Sequence, residues 1–333
     1  MMSNNTPNNR EVLLELKNLC VSYQGKTKQV HAVKNTDLTV YRGDSLGIVG
    51  ESGSGKSTLA LAVLRLLPER VARVTGEVNF MGQDLLSLDR DRLKSIRWNN
   101  LSVVFQKAMN SFSPVHRIGE QVEDIYRVHN PGATKAEVFN RVSSLLKLVN
   151  LGDQVYNLYP HEMSGGMIQR VSIAVSLLHD PDLLIFDEAT TALDVITQRQ
   201  ILKEITAMEK DLNMSRIMIT HDISVVASSC KKIAVMYAGE IMEEGMSKDV
   251  LKNPMHPYTK GLLASFPALR GEKKALKAIK GFLPDLSIRH EGCIFSPRCE
   301  AVHDKCRLTR PEPLKMSDGR MVACTLYNRE QSP

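Results

Sequence analysis

Leu46-Gly47-Ile48-Val49-Gly50-Glu51-Ser52-Gly53-Ser54-Gly55-Lys56-Ser57 is the stretch that decides the fold. Leu46 to Val49 reads as a short buried strand, and Gly50 to Ser57 carries the spacing G-x-x-x-x-G-K-S. Leu59 to Leu67, rich in Leu and Ala, then predicts a helix. Glycines let backbone N–H groups converge on phosphate oxygens, and a helix N-terminus adds the positive end of its dipole. Gly50, Ser52, Gly53, Ser54, Gly55, Lys56, Ser57 and Thr58 are therefore candidate nucleotide contacts. Lys56 is expected to reach the β- and γ-phosphates, while Ser57 offers its hydroxyl to Mg²⁺.

Three other strand ends supply polar groups. Leu183-Leu184-Ile185-Phe186 is an apolar run of the kind found in parallel strands covered on both faces, and it ends in Asp187-Glu188. Two adjacent carboxylates repel unless a cation or proton is shared, and Mg²⁺ bound to phosphate supplies the cation. Asp187 is assigned to Mg²⁺ and Glu188 to the attacking water. Leu101 to Phe105 leads to Gln106, and Arg216 to Thr220 leads to His221. Ligands collect at the carboxyl ends of strands in open α/β sheets, which places both near the γ-phosphate and its water, with Gln106 also a candidate Mg²⁺ contact.

The chain has 333 residues, 43% of them hydrophobic, enough for one large domain or two smaller ones. No window approaches the roughly 18 to 20 apolar residues of a membrane helix, and the first residues lack a basic segment followed by an apolar run. The expected location is the cytoplasm, at a membrane only if a partner holds it there. The net charge of +6 comes from interspersed charges of both signs, including the acidic run Glu240 to Glu244, which argues against a nucleic-acid surface. Basic residues do crowd near the C-terminus, among them Lys273, Lys274, Lys277 and Arg289, and read as a solvated or docking face. The six cysteines, without an export signal, argue against a disulfide framework. Cys20 and Cys230, in apolar surroundings, read as buried thiols.

Between Gln106 and Asp187 the pattern changes. Val138, Val142, Leu145, Leu146 and Val149 give helical periodicity from about Thr134 to Val149, a helical insertion within the nucleotide domain. Further on, Ser164-Gly165-Gly166-Met167-Ile168-Gln169-Arg170 opens a second helix, with Ser164 as N-cap and two glycines exposing backbone N–H groups.

Taken in order, the phosphate loop, Gln106, Ser164 to Arg170, Asp187-Glu188, Thr191-Ala192-Leu193-Asp194 and His221 resemble the ATP-binding cassette of ABC transporters, from about Leu13 to Leu251. The resemblance implies an α/β P-loop NTPase fold with a mixed central sheet, an N-terminal antiparallel β part and an inserted helical subdomain over about 107–178. It also implies that Tyr23 stacks on the adenine of ATP. Two cassettes would close head to tail, with Ser164, Gly165, Gly166 and Asp194 completing the partner's ATP site. Met167 stands where many cassettes have Gln, and Ala189 where Pro is common; neither removes a catalytic side chain.

Beyond Asn253 the chain exceeds a cassette. Asn253-Pro254-Met255-His256-Pro257-Tyr258-Thr259-Lys260-Gly261-Leu262 resembles the exit of oligopeptide, dipeptide and nickel importer ATPases. Cys293, Cys299, Cys306 and Cys324 lie in the tail without the C-x₂₋₄-C spacing usual for structural zinc. A [4Fe–4S] cluster is the first reading, Zn²⁺ the second, unligated thiols the third. The expected division is a cassette over 11–252 and a C-terminal module over 253–333.

The expected function is ATP hydrolysis coupled to peptide import, with nickel or another small solute as the alternative cargo. Implied partners are a second, distinct ATPase subunit, two transmembrane permeases and an extracellular or periplasmic binding protein; Met109 to Pro114 would touch the permease. The chain would work as a peripheral protein on the cytoplasmic face of the membrane. A cassette ATPase acting on nucleic acid or ribosomes is the alternative of another class, disfavoured because no sustained heptads separate the phosphate loop from Ser164. A subunit that binds ATP without turnover is disfavoured by the presence of Glu188 and His221.

Overall fold

The computed structural model describes residues 10–25, 28–106, 111–190, 193–266, 278–288 and 290–327. Two sheets organise them. The first is antiparallel, formed by β1 (Val12–Gln24), β2 (Gln29–Tyr41), β4 (Ala72–Phe80) and β5 (Gln83–Asp84) in the order β2-β1-β4-β5. The second holds β3 (Ser45–Val49), β6 (Leu101–Val104), β7 (Leu183–Asp187), β8 (Ser215–Ile219), β9 (Lys232–Tyr237), β10 (Glu240–Met246), β11 (Leu314–Lys315) and β12 (Met321–Val322). Its order is β11-β12-β10-β9-β3-β8-β7-β6. The strands from β9 to β6 run parallel, whereas β10, β12 and β11 are antiparallel to their neighbours. This is the mixed sheet with an N-terminal antiparallel part that the resemblance to ABC cassettes implies.

β3, β7 and β8 are buried along their whole length, so both faces of the parallel sheet are covered. On one face, Leu14, Leu16, Leu38 and Phe80 of the antiparallel sheet pack with Ile48, Ile185 and Ile217, together with Leu59 and Val63 of α1 (Lys56–Val63). On the other lie Val104, Leu184 and Phe186 with the helical insertion. The remaining named helices are α2 (Arg90–Ile96), α3 (Ile118–His129), α4 (Lys135–Leu148), α5 (Gly165–Ser176), α6 (Val195–Asp211), α7 (Ile223–Ser229), α8 (Ser247–Lys252), α9 (Pro257–Ala264) and α10 (Asp304–Leu308).

The periodic stretch from Thr134 to Val149 is α4 with its caps. Thr134 Oγ1 accepts from Glu137 N–H at 3.3 Å, and the Glu137 carboxylate accepts from Thr134 N–H at 2.7 Å, closing a capping box. Its buried stripe of Val138, Val142, Leu145 and Leu146 shares a core with Ile168, Val171 and Val175 of α5. α1 is shorter than Leu59 to Leu67 suggested, because Arg65 turns left-handed (φ 51°) just past the Leu64 cap. α3 lies within the expected insertion; it buries Ile118 and Val122 and packs Ile125 and Tyr126 against the same core, a helical spacing that the sequence carries and the periodicity reading from Thr134 onward did not include. Cys20 is a correction. It is half-buried and not apolar in its contacts, since its thiol donates to Asn35 Oδ1 at 3.0 Å and accepts from Asn35 N–H. Cys230, at the end of α7, is buried as expected.

The chain after α8 adds to the central sheet. β12 pairs with β10 through Glu243↔Val322 and Glu244↔Met321. Glu243, fully buried, accepts the N–H groups of Met255 and His256 and faces Arg320 at 3.4 Å. Arg320 in turn donates to the Asn253 carbonyl at 2.6 Å, so one buried carboxylate and its arginine fix both the exit from α8 and the returning strand. Among the described residues no helix is long and apolar enough to cross a membrane.

Burial pushes the neighbouring Glu244 carboxyl up to about 7, against the opposing charge of Lys232. The folded chain then holds a proton that the unfolded chain, near 4.5, has already released. The group's contribution to stability is thus full below the unfolded value and is lost as pH rises through about 7. Glu244→Gln is expected to flatten the fall in stability across that window, measured as urea midpoints at a series of pH values; an unaltered slope would remove Glu244 as its source.

Candidate functional site

The phosphate loop spans the gap between the buried end of β3 and the first turn of α1. Gly55, at φ 103°, is the N-terminal flank of α1, and a Cβ there would lie 2.3 Å from the Ala32 carbonyl oxygen, so this position needs glycine for both conformation and space. Lys56 is 4% exposed and donates to the carbonyls of Gly50 and Glu51, each at 2.9 Å, and to Ser54 Oγ at 3.3 Å. Burial pushes its ammonium below the usual lysine range, while Glu188, Asp187 and Glu51 pull it back. The Ser57 hydroxyl donates to Asp187 Oδ1 at 2.7 Å. Burial raises the Asp187 carboxyl, the Ser57 bond opposes that, and the Glu188 charge adds to it.

Three strand ends meet beside this pair. Glu188 follows β7 in a left-handed conformation (φ 50°), and its N–H donates to Ile219 O at 2.9 Å. Gln106, just beyond β6, donates to Glu188 Oε2 at 2.8 Å, and Nδ1 of His221, just beyond β8, lies 3.5 Å from the same oxygen. A residue other than glycine at positive φ is strained, and here it sits at the acid whose carboxylate gathers the other two side chains. Tyr23, half-buried in β1, brings its hydroxyl to 3.2 Å from Thr58 Oγ1, beside the first turn of α1.

Ser164 caps α5, its hydroxyl accepting from Met167 N–H at 3.3 Å. Ser164 and Gly165 are exposed, and among the described residues no hydrogen bond or ion pair joins residues 164–166 to the phosphate loop. Gln169, buried, donates to Phe105 O at 3.3 Å, and Arg170 donates to Asn150 O at 2.8 Å, tying the helix to the residue before Gln106 and to the end of α4. Asp194 caps α6 by accepting from Ile196 and Thr197 N–H, each at 3.0 Å. Thr191, Ala192, Met109 and Asn110 lie outside the described residues, as do Lys273, Lys274, Lys277 and Arg289.

Cys293, Cys299, Cys306 and Cys324 line one small cavity with His256 and Phe295. Burial pushes the Cys293 thiol up to about 12, and the other three cysteines push the same way. Sharing a wall is not the same as converging: among the described residues no group of three or more His, Cys, Asp or Glu side chains is placed to hold a metal ion.

Sequence reading missed a set of residues around Glu51. Its N–H donates to the Tyr258 hydroxyl at 2.9 Å, and its carboxylate meets Arg298 at 2.9 Å. Leu283 would lie 3.4 Å from a Cβ at Gly53, and the Leu286 carbonyl accepts from His31 N–H at 3.0 Å. No local pattern shows that Arg298 meets Glu51, because the two are 247 residues apart in sequence.

Residues 33–191 match the family described as ABC transporter, and residues 242–306 match the family described as the oligopeptide/dipeptide transporter C-terminal region. The oligopeptide transport ATP-binding protein OppD of Salmonella typhimurium is 42% identical over 320 residues, covering 96% of this chain and 95% of that protein. The chain belongs to the ABC transporter ATP-binding proteins. AppD of Bacillus subtilis, also an oligopeptide transport ATP-binding protein, is 39% identical over 321 residues, 96% of this chain and 98% of its own length. Among solved structures, the ATP-binding cassette MJ0796, a dimer in a post-hydrolysis state bound to ADP and Pi, superposes with a TM-score of 0.65 at 30% identity. That likeness covers 71% of this ABC protein and 99% of the other chain.

In this cassette the loop geometry rests on Gly55. Gly55→Ala is expected to lower stability by at least about 1 kcal/mol through strain at positive φ and the clash with Ala32. Thermal unfolding without nucleotide reads this directly, and a variant as stable as the parent would show that the loop tolerates another conformation.

Proposed function

We propose that this chain binds and hydrolyses ATP to power import of oligopeptides or dipeptides through separate membrane subunits. The observation that carries the reading is the meeting of Lys56, Ser57 and Asp187 with Gln106, Glu188 and His221 at the carboxyl edge of one parallel sheet. The names of the full-length relatives support peptides over nickel as cargo.

Each side chain has a distinct task. The Lys56 ammonium would exchange its carbonyl partners for phosphate oxygens, and backbone N–H groups of residues 50–58 would line the rest of the anion. Tyr23 would face the adenine. Ser57, Asp187 and Gln106 would hold Mg²⁺; a buried carboxylate already bonded to the Ser57 hydroxyl fits a cation, since burial leaves its charge poorly solvated. Mg²⁺, when bound, neutralises charge on the phosphate oxygens. Glu188 would orient and polarise the attacking water, with Gln106 and His221 fixing its carboxylate.

Ser164, Gly165, Gly166 and Asp194 would act on the ATP of a second cassette. The exposed start of α5 supports this, as do Val195 and Ile196, which sit beside Asp194 at 64% and 80% exposure. The second cassette is proposed to be a distinct paralogue, which with two permeases and a binding protein would complete the importer. The chain would then sit on the cytoplasmic face of the membrane as a peripheral subunit. Residues 11–252 would act as the cassette, with its helical insertion at about 107–178, and 253–333 as the C-terminal module.

The four-cysteine cavity is where this chain would hold a [4Fe–4S] cluster, with Zn²⁺ as the alternative. The shared cavity supports that reading, and the lack of a ready ligand group among the described residues weighs against it.

In the reconstituted complex, Glu188→Gln is expected to lower ATP turnover by about a hundredfold or more while ATP binding persists. Unchanged turnover would take Glu188 out of its role. For the cavity, iron and sulfide in about fourfold molar amount with a broad visible absorption after anaerobic purification is the expected result. Stoichiometric zinc would favour the alternative, and free thiols without metal would end both.

A further inference from the structure

A carboxylate is the wrong charge to carry inside a loop that binds phosphate. Glu51 lies directly after Gly50 in that loop, its carbonyl holds the Lys56 ammonium at 2.9 Å, and its charge is felt at Lys56 alongside those of Asp187 and Glu188. Glu51 Oε1 is buried without a hydrogen-bond partner among the described residues. Its other oxygen, Oε2, pairs with Arg298, whose side chain is 6% exposed and whose Nη1 lies 2.9 Å away.

Arg298 is itself held from several directions. It donates to Lys280 O at 2.9 Å and to the Tyr237 hydroxyl at 3.3 Å, and its guanidinium lies 5.6 Å from the centre of the Tyr237 ring. The backbone half of the same loop residue is held by Tyr258, which is fully buried and accepts from Glu51 N–H. Tyr237, Tyr258 and Phe295 form one aromatic group, with ring centres 4.6 to 5.3 Å apart. Phe295 lines the cysteine cavity, and Arg298 directly precedes Cys299, so the cavity wall and the grip on Glu51 are one piece of structure.

We propose that Arg298 and Tyr258 are positioning residues for ATP binding: the C-terminal segment reaches back to the phosphate loop, neutralises Glu51 and anchors its backbone, and thereby sets ATP affinity. The inference rests on the ATP reading above. It assigns the C-terminal segment a task in the nucleotide site without giving either side chain a contact with the phosphates.

The test is titration of the full-length chain with a fluorescent N-methylanthraniloyl ATP in Mg²⁺, with thermal unfolding in parallel. Arg298→Met is expected to weaken binding about tenfold, or about 1.4 kcal/mol. Arg298→Lys, which keeps the charge, should retain most of the affinity. Adding Glu51→Gln to Arg298→Met should return binding to within about threefold of the parent, giving a coupling that loss of packing alone does not produce. Tyr258→Phe keeps the ring and removes the acceptor, so it reports on the anchor even if Arg298→Met fails to fold; it should weaken binding about threefold or more. Parent-like affinity in Arg298→Met and Tyr258→Phe would overturn the proposal, as would a double variant that stays as weak as Arg298→Met. A parent chain that binds no nucleotide would instead defeat the ATP reading itself.

Discussion

The Lys56 ammonium sits in a nearly closed site, 4% exposed, with two carbonyls and a hydroxyl of its own loop folded around it; burial pushes it below the usual lysine range, and Glu188, Asp187 and Glu51 pull it back. Leaving such a charge unpaired would cost several kcal/mol, so its burial dictates much around it. The loop must turn back over the lysine, which requires glycine where the backbone passes close to Ala32. The acids at the end of β7 must stand near enough to offset its desolvation, as Glu188 and Asp187 do. A parallel sheet meets these needs economically, because β7 and β8, and β8 and β3, run side by side in the same direction and end at the same edge.

The same edge explains the chemistry. Gln106, Glu188 and His221 are far apart in sequence, yet each follows a strand of one sheet, and strand alignment brings them to one carboxylate oxygen. The strained backbone at Glu188 belongs with this arrangement: its N–H is committed to Ile219 O, which fixes the turn that presents the acid. Gln169 extends the network into the helical insertion through the carbonyl of Phe105, so a shift of α5 would be felt next to Gln106.

What lies beyond Asn253 is bound to the cassette at both ends of its course. Glu243 and Arg320 tie the returning strand β12 to β10, while Arg298 and Tyr258 return to the phosphate loop. The aromatic group of Tyr237, Tyr258 and Phe295 fills the space between the loop and the cysteine cavity.

By itself the sequence determined the pieces whose information is local. The strand, loop and helix from Leu46 onward, the acid pair after an apolar run, and the capped α4 all follow from periodicity and residue type within short windows, because backbone preference and facial burial repeat with the element's own period. Local reading passed over α3 although Ile118, Val122, Ile125 and Tyr126 stand at helical intervals, and it misjudged Cys20, which is half-buried against Asn35 although its neighbours in sequence are apolar. Only the tertiary structure decided which pieces meet. Strand order in the central sheet is not the order in the chain, so Arg298 and Glu51, 247 residues apart, meet through topology, and four cysteines with no regular spacing share the wall of one cavity. Pairing across such distances depends on how the sheet is crossed, and no window of sequence contains that information.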